Sequence, residues 1–189
     1  MKVTVFGANS AIAQAICFEI LKNNQGSRFT LFGRNEESLK LFKEELLSCS
    51  ATDVEFFIND FVNSNLDESI LEKTYNKNID ITILSYGDLG EEELLKKDQG
   101  NLRNFIDLNL TSKFIILNYL SNKANLNKNN SIVVISSVAG DRGRRSNYIY
   151  GSMNAALTQF TSGMRSYLHQ KNVHVLTVKP GFIITPMTK

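Results

Sequence analysis

The stretches SIVVISSVAG (131–140) and YGSMNAA (150–156) join an apolar run, a serine pair and the start of a helix. The apolar run predicts a buried strand that ends at Ser136–Ser137, and the following segment predicts a helix from Tyr148 to Gln170. Tyr150 comes thirteen residues after Ser137. We expect the serine hydroxyl to polarise a carbonyl oxygen and the tyrosine phenol to donate a proton to the same oxygen.

The rest of the chain repeats this strand-then-helix unit. We predict strands at Lys2–Gly7, Arg28–Gly33, Val54–Ile58, Ile79–Ser85, Ile132–Ser136 and Val173–Lys179. We predict helices at Ala11–Asn23, Glu36–Ser48, Asp67–Tyr75, Asn101–Asn122 and Tyr148–Gln170, with Glu91–Asp98 as a further helical candidate. The strands are apolar on both faces, which indicates burial under helices on either side. The order predicts an α/β fold, a Rossmann-type doubly wound parallel sheet in a single domain.

Composition excludes several classes of protein. A length of 189 residues suits one domain, and a net charge of +2 is too small to favour nucleic acid as a partner. No apolar run has the length of a membrane span, and Met1 leads directly into a strand, so we expect a cytoplasmic protein. Cys17 and Cys49 lack metal-ligand spacing and are interpreted as small buried hydrophobes. No His/Cys/Asp cluster predicts a metal site.

Ligands of such sheets bind outside the carboxyl ends of the strands, so the residues after each strand are the site candidates. The first strand leads into GANSAIA (7–13), where Gly7 permits a tight turn. We expect Asn9, Ser10, Ala11 and Ile12 to present a helix N-terminus to a pyrophosphate. The alternative is an ordinary turn, since only the first of the three usual glycines is present.

Candidates for the rest of a dinucleotide follow the later strands. Arg34, where an acidic residue would select NAD, suits the 2′-phosphate of NADP; the alternative is a solvated arginine. Asp60 is expected to accept from an adenine amino group, or to be a charge near a helix start. Ser85 and Gly87 are small enough to let a ribose approach the chain. The last strand leads to Pro180–Gly181 and to Thr185, which is expected to meet a nicotinamide amide or a phosphate.

A serine hydrolase is the rival interpretation of an exposed serine after a strand. There is no GxSxG motif, and both histidines, His169 and His174, flank the last helix–strand turn. That turn lies at the opposite end of the strands from the serine, so we exclude this chemistry.

Together these residues resemble the short-chain dehydrogenase/reductase family over essentially the whole chain. The segment SSVAGDRGRRSNYIYGS (136–152) resembles a branch that includes reductases of the 2-keto sugar intermediate in decaprenylphosphoryl-arabinose synthesis and related bacterial envelope-associated enzymes. SYGDLG (85–90) fits this branch and replaces the AsnAlaGly usual in the family. The resemblance implies that Ser137 binds the substrate oxygen, that Tyr150 protonates it, and that Asn109 holds a proton-relaying water. It also implies a small-molecule carbonyl or alcohol substrate and a homodimer or homotetramer.

The chain departs from the family pattern at two places. The family has a lysine at the position of Asn154, which lowers the phenol pKa and binds the cofactor ribose; the amide of Asn154 can bind the ribose but carries no charge. Family members also continue for some fifty residues or more beyond Pro180–Gly181, so we expect the sheet to lack its usual last strand. Two interpretations follow: an NADP-dependent oxidoreductase, or a catalytically impaired NADP-binding homologue with a binding or regulatory role.

Three arginines, Arg142, Arg144 and Arg145, lie between the serine and the tyrosine. We expect them either to receive a phosphate on the substrate or to form a solvated basic loop. A nucleotide-sugar epimerase of the extended family would require a substrate domain, for which no residues remain.

Overall fold

The computed structural model describes residues 1–62, 71–72, 79–123 and 130–185. Six parallel strands form one sheet in the order β3-β2-β1-β4-β5-β6. They are β1 (Lys2–Phe6), β2 (Arg28–Gly33), β3 (Asp53–Ile58), β4 (Ile81–Leu84), β5 (Asn130–Ile135) and β6 (Val173–Val178). The order reverses between β1 and β4, which is where a doubly wound sheet places its ligand cleft. The predicted fold class is confirmed.

The described helices cover the sheet. They are α1 (Ala11–Asn23), α2 (Glu36–Ser48), α3 (Glu92–Lys97), α4 (Gln99–Ile106), α5 (Ser112–Lys123) and α6 (Tyr148–His169). The polar segment predicted as a possible helix is therefore helical, as α3. The helix predicted near Asp67–Tyr75 lies outside the described residues, except for Leu71 and Glu72. None of the helices described is both long and apolar enough to cross a membrane.

The single long helix predicted at Asn101–Asn122 is wrong in one respect. A π-helical turn at Asp107–Thr111 separates α4 from α5. Such turns insert one residue into a helix and are frequent at functional sites. The insertion places Asn109 in the interior, with 3% of its surface exposed, although the sequence left its exposure open.

The core lies on both faces of the sheet, because the strands alternate their side chains between two helical layers. One cluster joins β1 and β2 to α1 and α2 through residues such as Val5, Leu31 and Leu39. The other contains Phe6, Leu117 and Leu157 and joins the sheet to α5 and α6. Both faces are apolar, as expected for a parallel sheet.

The cysteines do not share one environment. Cys17 is buried in α1, as predicted, but Cys49 is exposed. Cys49 follows the last residue of α2 as its C-cap, beyond the stripe that packs on the sheet, so its prediction as a buried residue was wrong.

Candidate active site

A cavity of about 470 Å³ opens at the carboxyl ends of β1, β4, β5 and β6. Eleven of the predicted site residues line it: Ser10, Ile12, Ser85, Gly87, Asn109, Ser137, Tyr150, Asn154, Pro180, Gly181 and Thr185. The parallel sheet explains this convergence, since it brings all the strand ends to one edge. Gly7, Asn9, Ala11, Arg34 and Asp60 are not part of the cavity wall.

Ser137 is held by a short 3₁₀ turn, Val138–Gly140, that follows β5. Its Oγ accepts a hydrogen bond from the Ala139 amide at 3.1 Å. The turn is also tied to the end of β6, because the Val138 amide donates to the Pro180 carbonyl at 3.2 Å. With its oxygen occupied as an acceptor, the hydroxyl proton of Ser137 is free to be donated into the cavity.

The turn packs directly on α6, which carries Tyr150. A Cβ on Gly140 would lie 2.6 Å from the Ala155 amide nitrogen, so only glycine allows this approach. This close contact fixes the strand-end serine relative to the helix, and both Ser137 and Tyr150 line the cavity.

Asn154, one turn after Tyr150, is buried with 5% of its surface exposed. Its Nδ2 donates to the Tyr150 carbonyl at 2.9 Å. Its Oδ1 lies 3.4 Å from the Ser136 hydroxyl, which also contacts Thr158 Oγ1 at 2.9 Å. The amide is thus built into the fold between α6 and β5, and it brings no charge to Tyr150.

Gly7 and Ser10 shape the turn between β1 and α1. Gly7 has a φ of +92°, and a Cβ there would lie 2.7 Å from the Ser85 carbonyl oxygen at the end of β4. Ser10 caps α1 and shares a hydrogen bond of 3.0 Å with the Ser85 hydroxyl. The first-turn amides of a helix have no intrahelical partner, and here they lie beside the cavity.

Asn9 joins this turn to the loop after β2. Its Oδ1 accepts from the Asn35 amide at 3.2 Å, and its Nδ2 donates to the Asn35 carbonyl at 3.3 Å. Arg34 therefore lies exposed between Gly33 and Asn35 in a loop that Asn9 fixes to the β1–α1 turn. Asp60 is also exposed, and its Oδ1 accepts from the Val62 amide at 3.1 Å.

Asn109 uses both ends of its amide on the backbone. Its Nδ2 donates to the Phe105 carbonyl at 3.0 Å, and its Oδ1 accepts from the Asp88 amide at 3.0 Å. The first bond satisfies a carbonyl beside the π-turn, and the second holds the segment after β4. Asn109 therefore fixes the wall of the cavity at Gly87.

Tyr86 and Lys113 are among the cavity residues that the sequence analysis missed. Lys113 lies one turn after Asn109 and is buried with 4% of its surface exposed. Its Nζ lies 5.3 Å from the ring centroid of Tyr86. The available signal was a lysine at an i+4 spacing from the candidate Asn109 in an apolar helix, which predicts that both share one face.

The charges around the cavity have one sign. Lys113 and Arg144 are the charged residues of the described lining, which contains no carboxylate. The predicted arginine group is divided, because Arg145 lies in a separate surface depression with Glu91, Glu92 and Glu93. A positive cavity of this kind favours an anionic ligand. Within the described part of the chain, no group of three or more His, Cys, Asp or Glu residues could hold a metal ion.

Comparison with known proteins identifies the family. The model of the short chain dehydrogenase family matches residues 1–189. An uncharacterized oxidoreductase of Mycobacterium tuberculosis is 30% identical over 191 residues, which cover 99% of this chain and 75% of that protein. A 3-oxoacyl-(acyl-carrier-protein) reductase of Chlamydia muridarum is 27% identical over 169 residues, or 87% of this chain and 67% of that protein.

A solved structure agrees with the fold. The actinorhodin polyketide ketoreductase with NADPH superposes with a TM-score of 0.80 at 21% identity, covering 99% of this chain and 72% of that one. The chain belongs to the short-chain dehydrogenase family. It is an oxidoreductase of that family, whose members bind NAD(P).

Proposed function

We propose that this protein is an NADP-dependent oxidoreductase that interconverts a ketone and a secondary alcohol. One observation carries the proposal: the Ser137 hydroxyl and the Tyr150 phenol share a cavity with the β1–α1 turn. A carbonyl-binding donor and a proton donor thereby lie beside an anion-binding helix start, which is the combination that carbonyl reduction requires.

The residues present fit a dinucleotide. Gly7 and Ser10 shape the turn for a pyrophosphate, and the small side chain of Ser85 leaves room beside it. The cavity carries Lys113 and Arg144 but no carboxylate among its described lining, which suits an anion. The exposed guanidinium of Arg34, next to this turn, favours the 2′-phosphate of NADP over the hydroxyls of NAD.

The residues of the chain act on the substrate oxygen. A bound NADPH would supply a hydride to the carbonyl carbon. Ser137 donates a hydrogen bond to the carbonyl oxygen, and Tyr150 transfers its phenolic proton to that oxygen as the C–H bond forms. The products are the secondary alcohol, the oxidised cofactor and a tyrosinate, which regains its proton from solvent. Asn109 would hold a water for that return.

A phosphate-bearing keto sugar is the substrate class we favour. Arg144 enters the cavity from the loop between Ser137 and Tyr150, where a guanidinium can bind a phosphate with two hydrogen bonds. The resemblance of the 136–152 segment to keto-sugar reductases supports the same class.

Turnover is the direct test. The protein would be incubated with NADPH and a panel of ketones that includes phosphorylated keto sugars, and with NADP and the matching alcohols. We expect Tyr150→Phe to abolish turnover while NADPH still binds. Tyr148→Phe is the matched control, since Tyr148 is exposed and does not line the cavity. Equal turnover of wild type and Tyr150→Phe would reject the assigned chemistry.

A catalytically impaired NADP-binding protein is the second candidate. The observation that favours it is the neutral amide of Asn154, which is bonded to Ser136 and the Tyr150 backbone. Cofactor binding without turnover in the native chain, together with turnover in Asn154→Lys, would establish this candidate and reject the first.

The proposal includes a homodimer or homotetramer in the cytoplasm. Ile115 on α5 and Tyr167 on α6 leave 40% and 58% of their surfaces exposed, on helices that are expected to pair between subunits. A light-scattering mass equal to one chain would contradict the oligomer.

A further inference from the structure

Lys113 lies at the start of α5, with its ammonium group in the cavity wall. Its Nζ lies 3.4 Å from the position that a Cβ on Gly87 would take, and a Cβ there would also lie 2.7 Å from Asn109 Oδ1. Among the residues described, no acidic group forms an ion pair with Lys113, and no acceptor forms a hydrogen bond with it. Its closest described aromatic contact is the Tyr86 ring.

A buried lysine without a counter-ion is unfavourable for folding, since burial disfavours the charged form. Burial lowers the pKa of Lys113 from 10.5 to about 8. The group therefore still carries its charge at neutral pH. Tyr86 does not neutralise it, because burial raises the pKa of the Tyr86 phenol well above its usual range.

A tyrosine that donates a proton to a substrate, the role proposed for Tyr150, is assisted by a positive charge nearby. An ordinary tyrosine has a pKa of about 10, so its tyrosinate is poorly stabilised at neutral pH. A nearby ammonium favours the tyrosinate and matches the phenol to its role in proton transfer. Asn154 occupies the place one turn after Tyr150 and is neutral.

We propose that Lys113 is a positioning residue for Tyr150: its ammonium supplies, from the neighbouring helix, the positive charge that Asn154 does not. This inference rests on the proposed function, because it assumes that Tyr150 is the proton donor. The positive charge near Tyr150 would thus come from α5, because Asn154 on α6 is neutral.

Lys113 and Tyr150 line the same cavity, so the ammonium acts on the phenol across the cavity, where the interaction of charges is stronger than in bulk water. The titratable and charged groups that share this described cavity with Lys113 are Tyr86, Tyr150 and Arg144. Of these, only Arg144 carries a permanent charge, and it lies on the loop before α6.

The first measurement does not depend on turnover. Tyrosinate formation would be followed by ultraviolet absorbance in wild type and in Tyr150→Phe, and the difference gives the pKa of Tyr150. The same comparison would then be made between Lys113→Met and the double variant Lys113→Met/Tyr150→Phe. We expect tyrosinate formation at Tyr150 to move to higher pH in Lys113→Met, because the positive charge that favours the tyrosinate is removed. Lys113→Arg, which keeps the charge, should leave the pKa of Tyr150 near the wild-type value.

Lys123→Met is the matched control. Lys123 lies on the same helix and near the ring of Tyr119 at 5.6 Å, but it is outside the cavity. We expect this variant to leave the pKa of Tyr150 unchanged. An equal shift in both methionine variants would overturn the proposal, because it would reflect a general change in α5.

The second measurement is the pH profile of alcohol oxidation. We expect the rising limb of kcat/KM to move to higher pH in Lys113→Met, and kcat at neutral pH to fall by about tenfold for each pH unit of that move. Adding Asn154→Lys to Lys113→Met should return the rising limb of the kcat/KM profile to lower pH. A change in cofactor KM alone, with an unmoved pH profile and Tyr150 titration, would overturn the proposal.

The two assays separate the two claims. If wild type shows no turnover but Lys113→Met shifts the Tyr150 titration, the proposed function fails and the electrostatic coupling stands. If wild type turns over and Lys113→Met changes neither readout, the coupling fails and the proposed function stands.

Discussion

A Cβ on Gly151 would lie 2.7 Å from the Ala139 carbonyl oxygen. The first turns of α6 and the 3₁₀ turn after β5 therefore meet backbone to backbone. Gly151 follows Tyr150 directly and Ala139 lies two residues after Ser137, so this contact sets the separation of the two groups on which the proposed chemistry depends.

The first prediction concerns this contact. Gly151→Ala should force the 3₁₀ turn away from α6, because the neighbouring atom is backbone and cannot rotate aside. We expect a loss of about 1–3 kcal/mol in the free energy of unfolding. Turnover should fall more than cofactor binding, since the displaced residue is Ser137. Urea unfolding and steady-state kinetics measure the two effects.

Gly163→Ala is the matched control for that variant. Gly163 lies on the same helix, and no atom of the described residues lies within 4 Å of its Cβ position. An alanine in a helix interior is more favourable than glycine. This change should therefore raise the free energy of unfolding by about 0.5–1 kcal/mol and leave turnover unchanged. A similar loss of activity in both alanine variants would show that the Ala139 contact is not the cause.

The second prediction concerns cofactor selection. Arg34→Ala should weaken NADPH binding by about tenfold to a hundredfold, because a charge-assisted hydrogen bond contributes about 1.5–3 kcal/mol. NADH has no 2′-phosphate for Arg34 to bind, so its binding should change by less than about threefold. Fluorescence titration with both cofactors measures the ratio. Arg103→Ala on α4 is the control, since Arg103 is exposed and does not line the cavity.

The third prediction concerns the π-turn. Asn109→Ala would leave the Phe105 carbonyl and the Asp88 amide without their side-chain partners. An unsatisfied buried group costs about 1–3 kcal/mol, so we expect the unfolding free energy to fall by about that amount or more. Asn104→Ala, on the exposed face of α4, should change it little. If wild type and Asn109→Ala unfold with equal free energies in urea, these backbone groups find other partners in the variant.

The sequence predicted the fold well because its strands are short, apolar on both faces and separated by amphipathic helices. The bounds of α1, α2 and β2 agree with those predicted. Periodicity also predicted that Ser137 and Tyr150 lie at the same edge of the sheet, since a strand ends and the following helix begins at that edge, and both residues line the cavity there.

The remaining site features depend on contacts that are distant in the sequence. The two hydrogen bonds between Asn9 and Asn35 join residues that are 26 positions apart, and no local sequence pattern predicts them. The π-turn was missed because its residues read as one continuous amphipathic helix. Lys113 was missed because a lysine on a helix is usually solvated, and only the folded structure shows that this one is buried.

The last prediction follows from that burial. The pKa of Lys113 in the folded protein is about 8, below its ordinary value of 10.5, so the folded state binds fewer protons than the unfolded state between these values. Wild-type stability should therefore rise as the pH increases through this interval. Below pH 8 the full cost of the buried charge applies, about 3 kcal/mol from the pKa difference.

Lys113→Met removes this cost, so the variant should be more stable than wild type at neutral pH by up to about 3 kcal/mol. The difference between the two proteins should shrink steadily as the pH rises from about 8 to 10.5. Urea unfolding of both proteins across this range measures it, with Lys123→Met as the surface control. A variant that is less stable than wild type at neutral pH would mean that an anion compensates the ammonium in the fold. A gain in stability joined to a loss of activity is the outcome expected of a charge kept for chemistry.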